Sequence, residues 1–132
     1  SQTLLLSENL RAGHDPGQDT SWASPDPRYN SFFISGRICL DQRCSPGNVD
    51  LALANDRSDG NLECINCSLD QPEGTAPWLS SLHVGTVNAA FCDGHVSSVS
   101  EIIDGKVFAA LATPQGTLNR GPLAEPLVSG SF

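Results

Sequence analysis

The stretch that decides the fold is Val87-Asn88-Ala89-Ala90-Phe91-Cys92-Asp93-Gly94-His95-Val96-Ser97-Ser98-Val99-Ser100-Glu101-Ile102-Ile103. Two β-like runs flank Asp93-Gly94, the short-range signal of an antiparallel hairpin, because a type I′ turn needs positive φ at both central residues. A two-residue turn there pairs Cys92 with His95, Phe91 with Val96, Ala89 with Ser98 and Val87 with Ser100. Phe91 and Val96 then share one face. Downstream, Asp104 reads as an N-cap and Lys106 to Thr113 as a short helix with Val107, Phe108 and Leu111 on one side, stopped by Pro114. Upstream, residues 3–9, Thr-Leu-Leu-Leu-Ser-Glu-Asn, read as a short strand whose Leu4-Leu5-Leu6 is covered on both faces, and Phe32-Phe33-Ile34-Ser35 as another, ended by Gly36. Between them, Trp22 and Tyr29 are expected to pin an irregular loop to the core. The tail from Gly116 to Phe132 is apolar and rich in small residues, with Pro122 and Pro126 restricting it to extended or edge conformation. The expected fold is a single α+β domain spanning 1–132. It is β-rich, with the hairpin of about 87–103 at the centre of an antiparallel sheet, one helix at about 106–113 and long loops.

Composition narrows the function. The chain has 132 residues, seven Lys+Arg against fifteen Asp+Glu, and a formal charge of −8. That balance lacks the basic face a nucleic-acid binder needs and the polybasic patch that docks on anionic membranes. No apolar run approaches the ~20 residues that span a bilayer, so no membrane contact is expected. The chain contains no Met, and Ser1 is therefore read as a product of processing or as an internal start. Gly and Pro together contribute 21 residues and there are five Cys, the profile of a loop-rich domain in an oxidising compartment, periplasmic or extracellular.

Two arrangements fit Cys39, Cys44, Cys64 and Cys67. Two close pairs can deliver four thiolates to zinc. Two disulfides can instead staple the Pro/Gly-rich middle of the chain, each contributing ~2–4 kcal/mol through the unfolded state. Disulfides are expected, paired locally as Cys39–Cys44 and Cys64–Cys67, since short loops close first. Cys64-Ile65-Asn66-Cys67 lacks the strand-before, helix-after setting of a redox motif. Cys92 is expected to be a small buried hydrophobe. Residues 55–61, with Asp56, Ser58, Asp59 and Asn61, form an oxygen-rich turn that could take calcium, but without the ligand register of an EF-hand. No nucleophile elbow is present. His83 and Asp93, ten residues apart along extended chain, are too distant to be partners at ~3.3 Å per residue. These grounds assign no catalytic residue, no cofactor and no metal. The alternative to a structural protein is a small binding module using the four cysteines or the acidic turn.

The run from Ser80 to Val96 carries a His, nine intervening residues and then Asp-Gly. It resembles the signature of a bacterial prepilin-like family of unknown function, whose C-terminal domain bears this His–nine–Asp-Gly motif. Thr3 to Asn9, Ser35 to Cys39, Ile103 to Leu111 and Thr113 to Gly116 are similar to further stretches of that domain. After His83 the family has Pro-Gly-Gly where this chain has Val84-Gly85-Thr86. The likeness is to the C-terminal half of the prepilin-like globular head. It implies export by a pilin-type route, a helix-anchored precursor, a pilin-like sheet and no enzymatic activity. His83, Asp93 and Gly94 are then motif positions without an assigned chemical role. Physically, Gly94 supplies positive φ, Asp93 caps the turn and His83 bonds a neighbouring loop. The partners expected are further copies or neighbouring subunits of an extracellular assembly, met through the Leu4–Leu6 strand and the tail from Leu123 to Val128.

Overall fold

The computed structural model describes residues 3–12, 31–39 and 48–113. Three strands, β1 (Leu4–Ser7), β2 (Thr86–Phe91) and β3 (Val96–Ser100), form one antiparallel sheet in the order β1-β2-β3. A single helix among the described residues, α1, spans Gly105–Ala112. Short 3-10 turns occupy Gly36–Ile38 and Leu51–Asn55. The class is α+β, as the sequence indicates, but the hairpin is not central: β2 is the middle strand and β3 an edge.

The hairpin register differs from expectation by one residue. Val87 pairs with Val99, Asn88 with Ser98, Ala89 with Ser97 and Ala90 with Val96. The loop is three residues long. Gly94 N donates to Phe91 O at 2.9 Å and Phe91 N to His95 O at 3.0 Å. Gly94 has φ +89°, whereas Asp93 is not among the positive-φ residues. This is the tight turn followed by a left-handed Gly that makes a G1 bulge. A one-residue change of register exchanges the faces of a strand. Phe91 is accordingly buried at 3% exposure while Val96 is 71% exposed, and Val99 takes the inner position instead. Cys92 becomes an exposed free thiol in the loop, not a buried hydrophobe. The second strand also ends sooner, at Ser100, where Ile103 N turns back onto Ser100 O at 3.1 Å.

Two further expectations are corrected. Leu4-Leu5-Leu6 is not covered on both faces: the pairing with β2 slips between Leu4 and Leu6, leaving Leu4 inside while Leu5 and Leu6 are exposed. Phe32 to Ser35 is not a strand. Phe33 N donates to Pro77 O at 2.8 Å without a strand ladder. Trp22, Tyr29, Cys44, Pro114 and the tail from Gly116 lie outside the described residues.

The inner face of the sheet, Leu4, Val87, Ala89, Phe91 and Val99, packs with Phe108, Ala109 and Leu111 of α1 and with Ile38, Ala54, Ile65 and Leu79 from the loops. The helix starts where the sequence places its cap: Asp104 Oδ1 accepts from Lys106 N at 2.9 Å and Val107 N at 3.4 Å, filling two of the bare donors of the first turn. The buried stripe is Gly105, Phe108, Ala109 and Leu111, with Val107 only partly covered. Gly105 lets the helix lie directly on the 3-10 turn Leu51–Asn55. A Cβ there would sit 2.2 Å from Ala52 O and 2.7 Å from Ala52 C.

Gly105→Ala is therefore expected to cost more than about 2 kcal/mol, because the clash is with backbone that cannot rotate away. Gly94→Ala meets no atom within 4 Å, and should cost only the backbone strain of positive φ, about 1 kcal/mol. Urea unfolding followed by circular dichroism checks the order: equal losses for the two variants would contradict the close approach at Gly105.

Candidate functional site

The chemistry-bearing residues fall at the two ends of β2. At its start, the Glu8 carboxylate accepts from Asn88 N at 2.9 Å and Asn88 Nδ2 at 3.4 Å and lies 3.3 Å from His83 Nε2. These contacts, the Asn88 N–H first among them, hold the Glu8 carboxyl below its ordinary range. His83 thus bonds a neighbouring segment, as the sequence suggests, and that segment is the end of β1. Ser81 is adjacent, but its Oγ donates to Thr86 O at 2.9 Å and accepts from His83 N at 2.9 Å. The hydroxyl braces the turn into β2, and a Ser-His-Glu relay is not assembled.

At the other end, the hairpin loop holds Cys92, Asp93 and His95. Asp93 Oδ1 accepts from His95 N at 3.2 Å and from His95 Nδ1, so Asp93 does cap the turn. Its carboxyl is pulled down to about 2, chiefly by the His95 side chain and then by the His95 N–H. The His95 ring stacks on Phe91 with centroids 4.3 Å apart and planes 4° from parallel. β2 runs between the two ends, so His83 and Asp93 do not converge. The three motif positions, His83, Asp93 and Gly94, form no common site.

Cys64 and Cys67 are joined in a disulfide, with Cα atoms 5.2 Å apart, matching the local pairing expected from the sequence. Bonded to one another, they offer no thiolate to a metal. Cys39 is also disulfide-bonded, while Cys44 falls outside the described residues. Asn66 between Cys64 and Cys67 adopts φ +61°, an uncommon conformation that Asn tolerates better than most residues. In the acidic turn, Asp56 accepts from Ser58 N and Ser58 Oγ and pairs with Arg37 at 2.6 Å, so its oxygens serve the turn. No group of three metal-ligating side chains is gathered among the described residues. A depression of about 420 Å³ opens between Phe33, Ile34, Pro77 and Trp78, walled by Glu63 and Thr75. Glu63 Oε2 accepts there from the buried Ser35 hydroxyl.

Sequence reasoning missed Asn55. Its side chain is buried, accepts from Ile65 N at 3.0 Å and donates to both Glu101 O and Ile103 O at 2.9 Å. Nothing local marks it, since all three partners are ten or more residues away. It also missed the outer face of the sheet. Leu6 lies opposite Ala90, and Ala90 opposite Val96, so an apolar row crosses all three strands beside a shallow depression bordered by Asn88 and Glu8. Leu6 and Val96 are 63% and 71% exposed.

Fold and geometry together define a small, disulfide-bearing α+β domain with paired titratable groups at its sheet ends. No helix among the described residues is long and apolar enough to cross a membrane. Compared with models of protein families, with curated proteins and with solved structures, the chain has no match.

Two outcomes follow from the hairpin loop. Cys92 in the native, unreduced chain should react with a maleimide at once, as the only cysteine among Cys39, Cys64, Cys67 and Cys92 to do so; protection until unfolding would contradict the exposed loop. Asp93 has a folded pKa below its ordinary 3.8. Its bonds to His95 thus stabilise the loop fully above that value and are lost as pH falls from there towards about 2. A carboxyl NMR titration of Asp93 should give a midpoint near 2 in the native chain, and one displaced upward in His95→Ala.

Proposed function

We propose that this chain is a non-enzymatic, exported structural protein of a pseudopilin-like surface assembly, and that it works by packing against further subunits. The row Leu6–Ala90–Val96 on the outer sheet face carries this reading. Apolar side chains aligned across three strands and left in water favour association, whereas an enzyme would gather its acids and histidines around a cleft. Here Glu8–His83 and Asp93–His95 are spent in separate pairs on the surface. The Cys64–Cys67 disulfide suits an oxidising compartment outside the cytoplasm. The His83–nine–Asp93-Gly94 resemblance supplies the pilin-like part of the proposal. A charge of −8 keeps the remaining surface from indiscriminate contact.

The experiment is sedimentation velocity on the native chain beside Leu6→Asp/Val96→Asp, with circular dichroism on both. Leu6 and Val96 are exposed, so the double variant should stay folded. The expected result is an associated wild type and a dissociated variant. A variant that associates as strongly as the wild type would refute the role of this face.

A further inference from the structure

The two edges of the sheet are not equivalent. β1 is irregular, with its pairing slipped between Leu4 and Leu6, and a bulged edge is a poor template for another strand. β3 is regular through all five residues, Val96-Ser97-Ser98-Val99-Ser100. It contains no charge, no Pro and no Gly, so it lacks the usual devices that blunt an edge. His95 O accepts from Phe91 N and Glu101 N donates to Gly85 O. Antiparallel alternation then turns the backbone groups of 95, 97, 99 and 101 towards β2 and those of Val96, Ser98 and Ser100 outward. Of these six outward groups, only Ser100 O has a backbone partner among the described residues, Ile103 N. All three outward residues are exposed.

We propose that β3 is a homotypic docking edge, pairing antiparallel with β3 of a second copy about a two-fold axis through Ser98. This rests on the reading that the chain self-assembles, and it names the edge, the register and the partner. The register follows from counting. Only a centre at Ser98 uses all three outward residues: Ser98 exchanges both its bonds with Ser98 of the second copy, and Val96 with Ser100 of the second copy, twice. Centres at 97 or 99 engage two of the three, and centres at 96 or 100 one. A carbonyl has two lone pairs, so Ser100 O can keep Ile103 N as well.

The same register sets His95 opposite Glu101 of the second copy at both ends of the pair, on one face of the sheet, with each Glu101 carboxylate held by its own Arg57 and Asn66. The strand itself is uncharged, so two chains of charge −8 pair along it without setting like charges opposite one another within the strand. On the opposite face, Val96 lies beside the turn of the second copy that carries the exposed Ile102. An isologous contact of this kind closes at two, and the doubled sheet presents two Leu6–Ala90–Val96 rows on one surface.

The test uses the full chain. Ser98→Pro removes an outward N–H, which an edge strand tolerates in the monomer, and should weaken dimerisation about tenfold or more with unchanged circular dichroism. Independently, Cys92→Ser/Ser98→Cys should form a covalent dimer on mild oxidation, because residue 98 meets itself. Cys92→Ser/Ser97→Cys should not, because 97 meets 99. Both results together support the proposal. An associated wild type unaffected by Ser98→Pro, with no 98–98 cross-link, overturns the edge and leaves the outer face standing. A dimer that survives Leu6→Asp/Val96→Asp but not Ser98→Pro upholds the edge and removes the outer face. A monomeric wild type with no cross-link overturns both. Should Ser98→Pro fail to fold, the cysteine pair decides alone.

Discussion

The architecture hangs on one primary amide. Residues 48–82 contain no strand ladder, so their buried backbone groups must find partners singly. Asn55 answers three of those needs at once, holding Ile65 N on its oxygen and Glu101 O and Ile103 O on its nitrogen. Arg57 repeats the pattern from the surface, reaching Ile65 O at 2.8 Å and Glu101 O at 3.1 Å. The disulfide loop is thereby fastened to the segment between β3 and α1. That segment must be fixed for Asp104 to cap the helix and for Gly105 to reach Ala52. An Asp at 55 would lack both donors, and an apolar residue would strand Ile65 N and Ile103 O, each at about 1–3 kcal/mol, while Glu101 O would keep Arg57.

This dependence explains which parts of the fold were legible beforehand. The helix and its Asp104 cap, the antiparallel hairpin and the Cys64–Cys67 bridge depend on neighbours in sequence, and each could be read there. The hairpin register could not. Val96 and Val99 are three apart, so a strand buries one or the other, and β3 gives one valine to the core in either register. Hydrophobic burial, at ~25 cal/mol per Å², does not discriminate between them. The loop decides instead. A two-residue turn would force Asp93 to positive φ, while three residues confine that conformation to Gly94 and let Asp93 hold His95. The exposure of Cys92 and Val96 follows from this choice. The 3-10 turn Leu51–Asn55 was illegible for the opposite reason: its helix partner lies some fifty residues downstream.

Candidate site residues followed the same division. His83, Asp93 and Gly94 were visible as a motif, and the extended chain between them already argued against a shared site. Their actual partners were not visible, because Glu8 reaches His83 only through the β1–β2 pairing. Three of the four cations among the described residues are similarly occupied. Arg11 binds Leu69 O, Arg37 pairs with Asp56 and Arg57 with Glu101. These three side chains tie loops down.

The outer sheet face remains as the unbalanced element. α1 cannot shift to cover it, because the Asp104 cap, the Gly105 contact and the Asn55 clamp fix the helix on the inner side. Nor can the sheet relieve it by a change of register, since moving Val96 inward would place Val99 outward and return Asp93 to a strained turn. The apolar row at Leu6, Ala90 and Val96 is therefore a consequence of interactions that hold the core together. Removing it by substitution leaves those interactions untouched, which separates the requirements of folding from those of association. An exposed row that folding does not need, set beside an edge strand without protective charges, is the pattern expected where a second surface completes the sheet.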